Sequence, residues 1–254
     1  MINIDLKGKT VLVTGGTGQL GRVISETFAK AGADVIVHYN SNEEKAKELE
    51  VKLKEYGVET FIVKADVTKK ESIDEMKALI EKEFHMPDII VDNAVIQYIW
   101  KPVIEQDVPD YYSQFESCVM QTVYMTKAFV PHMIENKWGR VLVTNTECAA
   151  MAEVGQSAYV AGKRGLDGII RCLAKEVGEH GITVNQVAPG WTISENDRIN
   201  GTEAQEYYDK TVPLKHRGED QDIANMFVFL ASDMAKFTTG AYIPVSGGRV
   251  MPGI

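Results

Sequence analysis

Thr10-Val-Leu-Val-Thr14-Gly-Gly-Thr-Gly-Gln-Leu-Gly21 is the stretch whose reading decides the fold. A β-branched run ends in closely spaced glycines, and a helical pattern over 18–30 begins inside them. Glycines let the backbone approach a pyrophosphate, while the free N–H groups and the dipole at a helix start attract its charge. Alone, the pattern also fits a tight strand-to-helix turn. Between a strand and a helix it predicts a dinucleotide site on Gly15, Thr17, Gly18, Gln19, Leu20 and Gly21.

Outward from this loop the chain keeps alternating. Runs at 10–14, 34–38, 60–64, 88–92, 140–144 and 182–187 are apolar enough for burial on both faces, as parallel strands require. Helical patterns at 43–56, 70–84, 115–136 and 157–179 separate or follow them, with a later helix near 220–230 and a last strand at 241–245. Such alternation implies right-handed crossovers and an α/β fold: a doubly wound parallel sheet of about seven strands with helices on both faces. No linker divides residues 1–254, so one domain is expected. Residues 190–215 form the longest irregular section, and a loop of that length reads as a substrate lid.

Composition narrows the function classes. At 44% hydrophobic and 25% charged residues, with no apolar run of membrane length, the chain reads as soluble and globular. The first ten residues lack the basic-then-apolar order of a secretory signal. Cys118, Cys148 and Cys172 are odd in number and widely spaced, as reduced thiols are, so the cytoplasm is the expected compartment. A net charge of −9 argues against nucleic acid as partner. The five histidines are scattered, and no metal site is expected.

Chemistry concentrates in Ser157-Ala-Tyr159-Val-Ala-Gly-Lys163. Positions i and i+4 share a helix face, so the Lys163 ammonium is expected beside the Tyr159 hydroxyl, favouring its ionised form. An unperturbed phenol, with a pKa of about 10, exchanges protons poorly near neutrality, which gives the ammonium a purpose. Downstream of a dinucleotide loop, the pair points to a nicotinamide-dependent redox enzyme. At the end of the second strand, an acidic residue would select NAD and repel a 2′-phosphate. Here Tyr39, Asn40 and Ser41 stand there, which favours NADP(H) over NAD(H), although no arginine is present to grip the phosphate.

These motifs, in this order and over essentially the whole length, resemble the short-chain dehydrogenase/reductase family in its compact, single-domain, Rossmann-type form. The resemblance also draws on Asp66-Val67, Asp92-Asn-Ala94, Thr146 thirteen residues before Tyr159, Val187-Ala-Pro-Gly190, Phe229-Leu-Ala-Ser232 and Ser246-Gly-Gly248. It implies that Asp66 and Val67 hold adenine, that Asn93 and Ala94 line the cofactor ribose, and that Pro189, Gly190 and Thr192 flank the nicotinamide. It further implies that Lys163 binds the nicotinamide ribose, that Tyr159 protonates the carbonyl oxygen, and that Thr146 stands in for an orienting serine. Helix pairing between subunits in the family implies a homo-oligomer, a tetramer by resemblance.

Three departures from the family pattern stand out. Gln19 replaces a usual glycine, Asp92-Asn-Ala-Val95 replaces Asn-Asn-Ala-Gly, and Cys118 stands where an asparagine holds a water that connects the lysine to solvent. A thiol is a poor hydrogen-bonding group, so a working reductase with slower proton resupply is expected, with Asn93 or Gln121 offering another route. The same departures leave open a non-catalytic nucleotide sensor, against which the retained Thr146, Tyr159 and Lys163 count.

For the substrate, a small carbonyl or alcohol compound, the candidate contacts are Tyr98, Trp100, Cys148, Gln156 and Trp191. Glu147 and Glu153 disfavour an acidic ligand, so a neutral sugar, polyol or keto alcohol is the first expectation. The second is the ketone of a β-ketoacyl group on a carrier protein, because the tail 213–251 resembles that of reductases acting there. The basic docking positions of those reductases fall on Lys137 and His180, and the chain's negative charge would repel an acidic carrier.

Overall fold

Two apolar sets alternating along each strand place the sheet between two helical layers. The computed structural model describes residues 4–251, so the extreme ends of the 1–254 span, including the first residues read for a leader, lie outside it. The chain runs β1 (Thr10–Val13), α1 (Gln19–Lys30), β2 (Asp34–Tyr39), α2 (Glu43–Lys54), β3 (Thr60–Lys64), α3 (Lys70–Glu83) and β4 (Ile89–Asp92). It continues through α4 (Val108–Gln114), a π-helical turn Phe115–Met120, α5 (Gln121–Glu135), β5 (Gly139–Thr144), α6 (Glu147–Met151), α7 (Ser157–Val177) and β6 (Ile182–Pro189). Then come α8 (Glu195–Asn200), α9 (Glu206–Asp209), α10 (Asp220–Ala231) and β7 (Tyr242–Val245).

Leu12, Ile36, Ile90 and Val141 bury one sheet face against Ile73 of α3, Met125 and Phe129 of α5, and Leu166 and Ile170 of α7. Val11, Val13, Val35 and Ile89 bury the other against Ile24 and Phe28 of α1, Leu49 of α2 and Phe227 of α10. The period of two along each strand sorts the side chains, and each fully buried one contributes roughly 1.5–3 kcal/mol.

All seven strands pair in parallel, in the order β3-β2-β1-β4-β5-β6-β7. The chain therefore leaves β1 in one direction and returns to its other side at β4. This reversal opens a crevice at the carboxyl ends of β1 and β4, where ligands of such sheets bind.

The structure differs from the sequence expectations in the connections. The helix expected at 115–136 begins earlier, at Val108, because Pro109 in its first turn needs no helical N–H partner. It then passes through the π-turn that carries Cys118. The section 190–215 is not irregular throughout: Ser194 caps α8 in a reciprocal capping box with Asp197, and α9 follows. No helix of the described residues is long and apolar enough to cross a membrane.

Candidate active site

At the crevice, the glycine loop turns tightly from β1 into α1. Gly15 has φ +64°, and a Cβ on Gly21 would fall 2.2 Å from the Gly15 carbonyl oxygen, so a side chain there forces the backbone to move. Gly18 gives α1 no side-chain cap, and its first turn holds no acidic residue. Its leading N–H groups thus remain available to an anion, which fits a dinucleotide pyrophosphate.

The loop is braced from β2 by a residue the sequence reading passed over. His38 is buried; its Nδ1 accepts from the Gly15 N–H at 3.0 Å, and its Nε2 donates to the Ala65 carbonyl at 3.0 Å. Burial lowers its pKa to about 4, so the ring is neutral and can accept. Alternation along a strand turns Tyr39 the other way. Tyr39 is buried and does not line the groove, which corrects its placement as a cofactor contact.

The groove, of about 610 Å³, is lined by Gly15, Thr17, Gly18, Gln19, Leu20, Gly21, Asn40, Ser41, Asp66, Val67, Asn93 and Ala94 of the predicted set, with Tyr159 at its end. Thr14 ties β1 to the segment after β4, its hydroxyl accepting from the N–H of Asn93 at 2.9 Å and of Ala94 at 3.1 Å. Lys163 does not line the groove; its Nζ donates to the Thr144 carbonyl at 2.6 Å. Pro189 does not line it either, and Gly190 and Thr192 face the neighbouring cavity instead.

That second cavity, of about 460 Å³, meets the groove at Tyr159. It contains all five candidate substrate contacts, Tyr98, Trp100, Cys148, Gln156 and Trp191, together with Thr146. Thr146 caps α6, accepting from the Cys148 N–H at 3.2 Å, and Tyr242 donates to its carbonyl at 2.6 Å. Tyr159 and Thr146 line the same cavity. Tyr98 fixes the start of α7 by accepting from the Tyr159 N–H at 2.9 Å, and the Trp100 ring stacks 6.1 Å from that of Tyr159.

The expected acidification of the phenol does not occur in this arrangement. Burial pushes the Tyr159 hydroxyl well above its ordinary value, and Cys118 and Cys148 add to the rise while Thr146 opposes it. Lys163 sits 5.8 Å from the centre of the Tyr159 ring, its ammonium engaged by the Thr144 carbonyl. Spacing on a helix brought the two residues to one face but could not anticipate which partner the ammonium would choose. The result is a phenol held protonated.

Further polar residues form the cavity wall. The buried Glu147 accepts from the Tyr208 hydroxyl at 2.9 Å and from Arg249 at 2.7 Å, and Arg249 also reaches Glu153 at 2.7 Å. Tyr208 in turn accepts from the Trp191 N–H at 2.8 Å. The sequence reading had the two carboxylates but missed Arg249, which directly follows the Ser246-Gly-Gly248 motif, and Tyr207 and Tyr208, which come from a segment with no local motif.

Cys118 is buried in the π-turn, its thiol 4.0 Å from the Gln114 side-chain oxygen. A Cβ on Gly162 would lie 3.3 Å from that of Cys118, so the thiol packs directly against α7 between Tyr159 and Lys163. Lys137 and His180 flank the starts of β5 and β6, at the opposite end of the sheet from Tyr159. Among the described residues, no group of three potential ligands could hold a metal ion.

A family model described as enoyl-(acyl carrier protein) reductase, one of the short-chain dehydrogenase/reductase set, matches residues 17–249. The chain belongs to the short-chain dehydrogenase/reductase family. It is similar to 3-oxoacyl-[acyl-carrier-protein] reductase FabG of Staphylococcus epidermidis, with 33% identity over 253 residues covering 96% of this chain and 99% of that one. The protein of the same name from Pseudomonas aeruginosa is 34% identical over 249 residues, covering 98% and 100%. That of Aquifex aeolicus is 32% identical over 247 residues, covering 97% and 99%. As a member of this family the chain is an NAD(P)-dependent oxidoreductase acting on C=O or CH–OH groups, which sets aside the non-catalytic sensor.

Proposed function

We propose that this short-chain dehydrogenase/reductase reduces the ketone of a 3-oxoacyl thioester with NADPH. The observation that carries the reading is Tyr159, which shares the substrate cavity with Thr146 and lines the dinucleotide groove as well, in a chain similar over nearly its whole length to 3-oxoacyl reductases. The dinucleotide, when bound, supplies the hydride. Tyr159 delivers a proton to the carbonyl oxygen as that oxygen gains charge, and the Thr146 hydroxyl orients the same oxygen by a hydrogen bond. An alkoxide is far more basic than a phenolate, so a phenol kept protonated by burial still serves as its acid.

Asn40 and Ser41, which line the groove at the end of β2, present donors and no carboxylate to a 2′-phosphate, in support of NADPH. The cytoplasm suits three free cysteines. A homotetramer remains the expected assembly, and sizing of the purified protein checks it.

The first sequence expectation, a neutral sugar or keto alcohol, receives no support from the relatives. It survives as a second reading on one observation: Glu147, Arg249 and Glu153 place hydrogen-bonding groups and one surplus negative charge at the cavity. The surplus charge repels carboxylates but neither a neutral thioester nor a sugar. Lys137 and His180, distant from Tyr159 within one chain, give no reason to require the carrier protein.

The test compares kcat/KM for one 3-oxoacyl group on carrier protein, the same group on a short free thiol, and neutral keto sugars. Thioesters are expected to lead by at least about a hundredfold. A keto sugar turned over faster than both thioesters would overturn the proposal.

A further inference from the structure

Gln19, the first residue of α1, departs from the family's usual glycine, and its side chain points away from the loop's own backbone. Its Nε2 donates to the Ile193 carbonyl at 2.9 Å and to the two carboxylate oxygens of Asp220 at 2.9 and 2.8 Å. Its Oε1 accepts from the Glu195 N–H at 2.8 Å. The amide thus uses both of its functions on groups 174 to 201 residues away in the chain.

The three partners converge from two elements. Ile193 and Glu195 belong to the segment that follows β6 and carries Trp191 and Thr192 into the substrate cavity. Asp220 is the first residue of α10, buried, and also receives Arg198 of α8 at 3.1 Å. One turn after Gln19, Arg22 pairs with Glu195 and donates to the Thr17 carbonyl at 3.3 Å. A donor is needed at Ile193 and at Asp220, and an acceptor at the Glu195 N–H. A primary amide meets all three from one position, while alanine meets none and glutamate meets only the last.

We infer that Gln19 is a positioning residue that clasps the glycine loop to the segment over the substrate cavity, so that closure of the cavity and the shape of the dinucleotide groove depend on each other. The inference rests on the dinucleotide reading of the groove but not on the identity of the ketone. Because Gln19 also contributes a backbone N–H to the open first turn of α1, moving the lid segment tilts the turn that meets the pyrophosphate, and the reverse holds.

Amide hydrogen exchange in the cofactor-free protein provides the test, so that turnover plays no part in the result. In Gln19→Ala, the Glu195 amide and its neighbours in 191–200 are expected to exchange about tenfold faster, while amides of β1 and β4 keep their rates. NADPH affinity, measured by titration, is expected to weaken about threefold to tenfold.

Gln19→Glu gives a signature that a merely structural loss cannot copy. Its carboxylate would meet that of Asp220, with Glu195 adding like charge and Arg198 and Arg22 opposing it, so the clasp should open at pH 8 and re-form near pH 5 as the pair takes up a proton. With exchange expressed as protection, the intrinsic base-catalysed rate divided by the observed rate at each pH, the native chain and Gln19→Ala should show no such change. Unchanged Glu195 exchange in Gln19→Ala overturns the inference. Should the alanine variant disturb the sheet as well, Gln19→Glu decides alone, since one protein is read in both states: Glu195 protection that is the same at pH 5 and pH 8 rejects the clasp.

Discussion

The dinucleotide groove and the substrate cavity meet at Tyr159 but are held in different ways. Backbone builds the groove: Gly15 and Gly21 let the chain touch itself, the Gly16 N–H donates to the His38 carbonyl at 2.9 Å, and strand ends supply Asp66 and Asn93. Charged and aromatic side chains from remote segments build the cavity. Arg217, with no exposed side-chain surface, donates to the carbonyls of Thr192 and Trp191 at 2.8 and 3.2 Å and to Asp197 at 2.8 Å, and lies 4.2 Å over the Trp191 ring. A groove made of backbone serves one cofactor, whereas a cavity made of side chains can be retuned without disturbing the sheet.

Removing the guanidinium should break this contrast most severely. Arg217→Ala removes the charged partner of Asp197 and the donors to the Trp191 and Thr192 carbonyls, leaving Asp197 with its Ser194 and Thr202 bonds. Exchange through 190–218 should rise and the ketone KM increase, while NADPH binding weakens by no more than the roughly tenfold that Gln19 can transmit; a larger loss of NADPH binding would show that the two regions are one unit. The Arg217 bond, followed by those to Ser194, holds Asp197 well below the ordinary carboxylate range. The stability this supplies is present above the ordinary carboxylate pKa and is lost only as pH falls through the depressed value.

Gly21→Ala attacks the other side. The new Cβ would meet backbone atoms of Gly15 and Gly16 at 2.2 to 3.0 Å, none of which has freedom to yield. Overpacking of this kind costs roughly 1–3 kcal/mol. NADPH affinity should fall at least about tenfold, with a smaller rise in exchange over 191–200 passed on through Gln19, and unaltered affinity would show that the loop has slack.

The smallest effect sharpens the comparison at the end of β4. Asp92 is buried without a hydrogen-bond partner of good geometry among the described residues, and burial raises its carboxyl to about 7 against the opposing pull of Thr122 and Lys163. Between pH 4 and 7 the folded chain therefore holds a proton that the unfolded chain has released, so this group removes stability as pH rises and adds no further slope above 7. Asp92→Asn should gain stability at pH 8 relative to pH 4, read from denaturant midpoints. An equal gain at both pH values would mean that the carboxyl is not buried as described.

The same division explains what the sequence made legible. The alternation of β-branched and helical runs located all seven strands, and the glycine spacing located the groove, because both follow from the local period of the chain. The Tyr159–Lys163 spacing gave a shared face but not the charge state of the phenol, which depends on burial by Cys118, Cys148 and Trp100 from elsewhere. Gln19 appeared only as an odd residue in a cofactor loop, since its partners lie at 193, 195 and 220. Tyr208 carried no motif at all, and Arg249 stood one residue past the Ser246-Gly-Gly248 motif. Ser194 and Asp197, by contrast, spelled a capping box that could have revealed α8.

The most direct measurement is ketone reduction by Tyr159→Phe under saturating NADPH, with NADPH binding titrated in parallel. Loss of the hydroxyl should lower kcat at least about a thousandfold and leave the dissociation constant for NADPH within about threefold of the native value. Turnover within tenfold of native, at unchanged cofactor affinity, would contradict the assignment of Tyr159 as the acid.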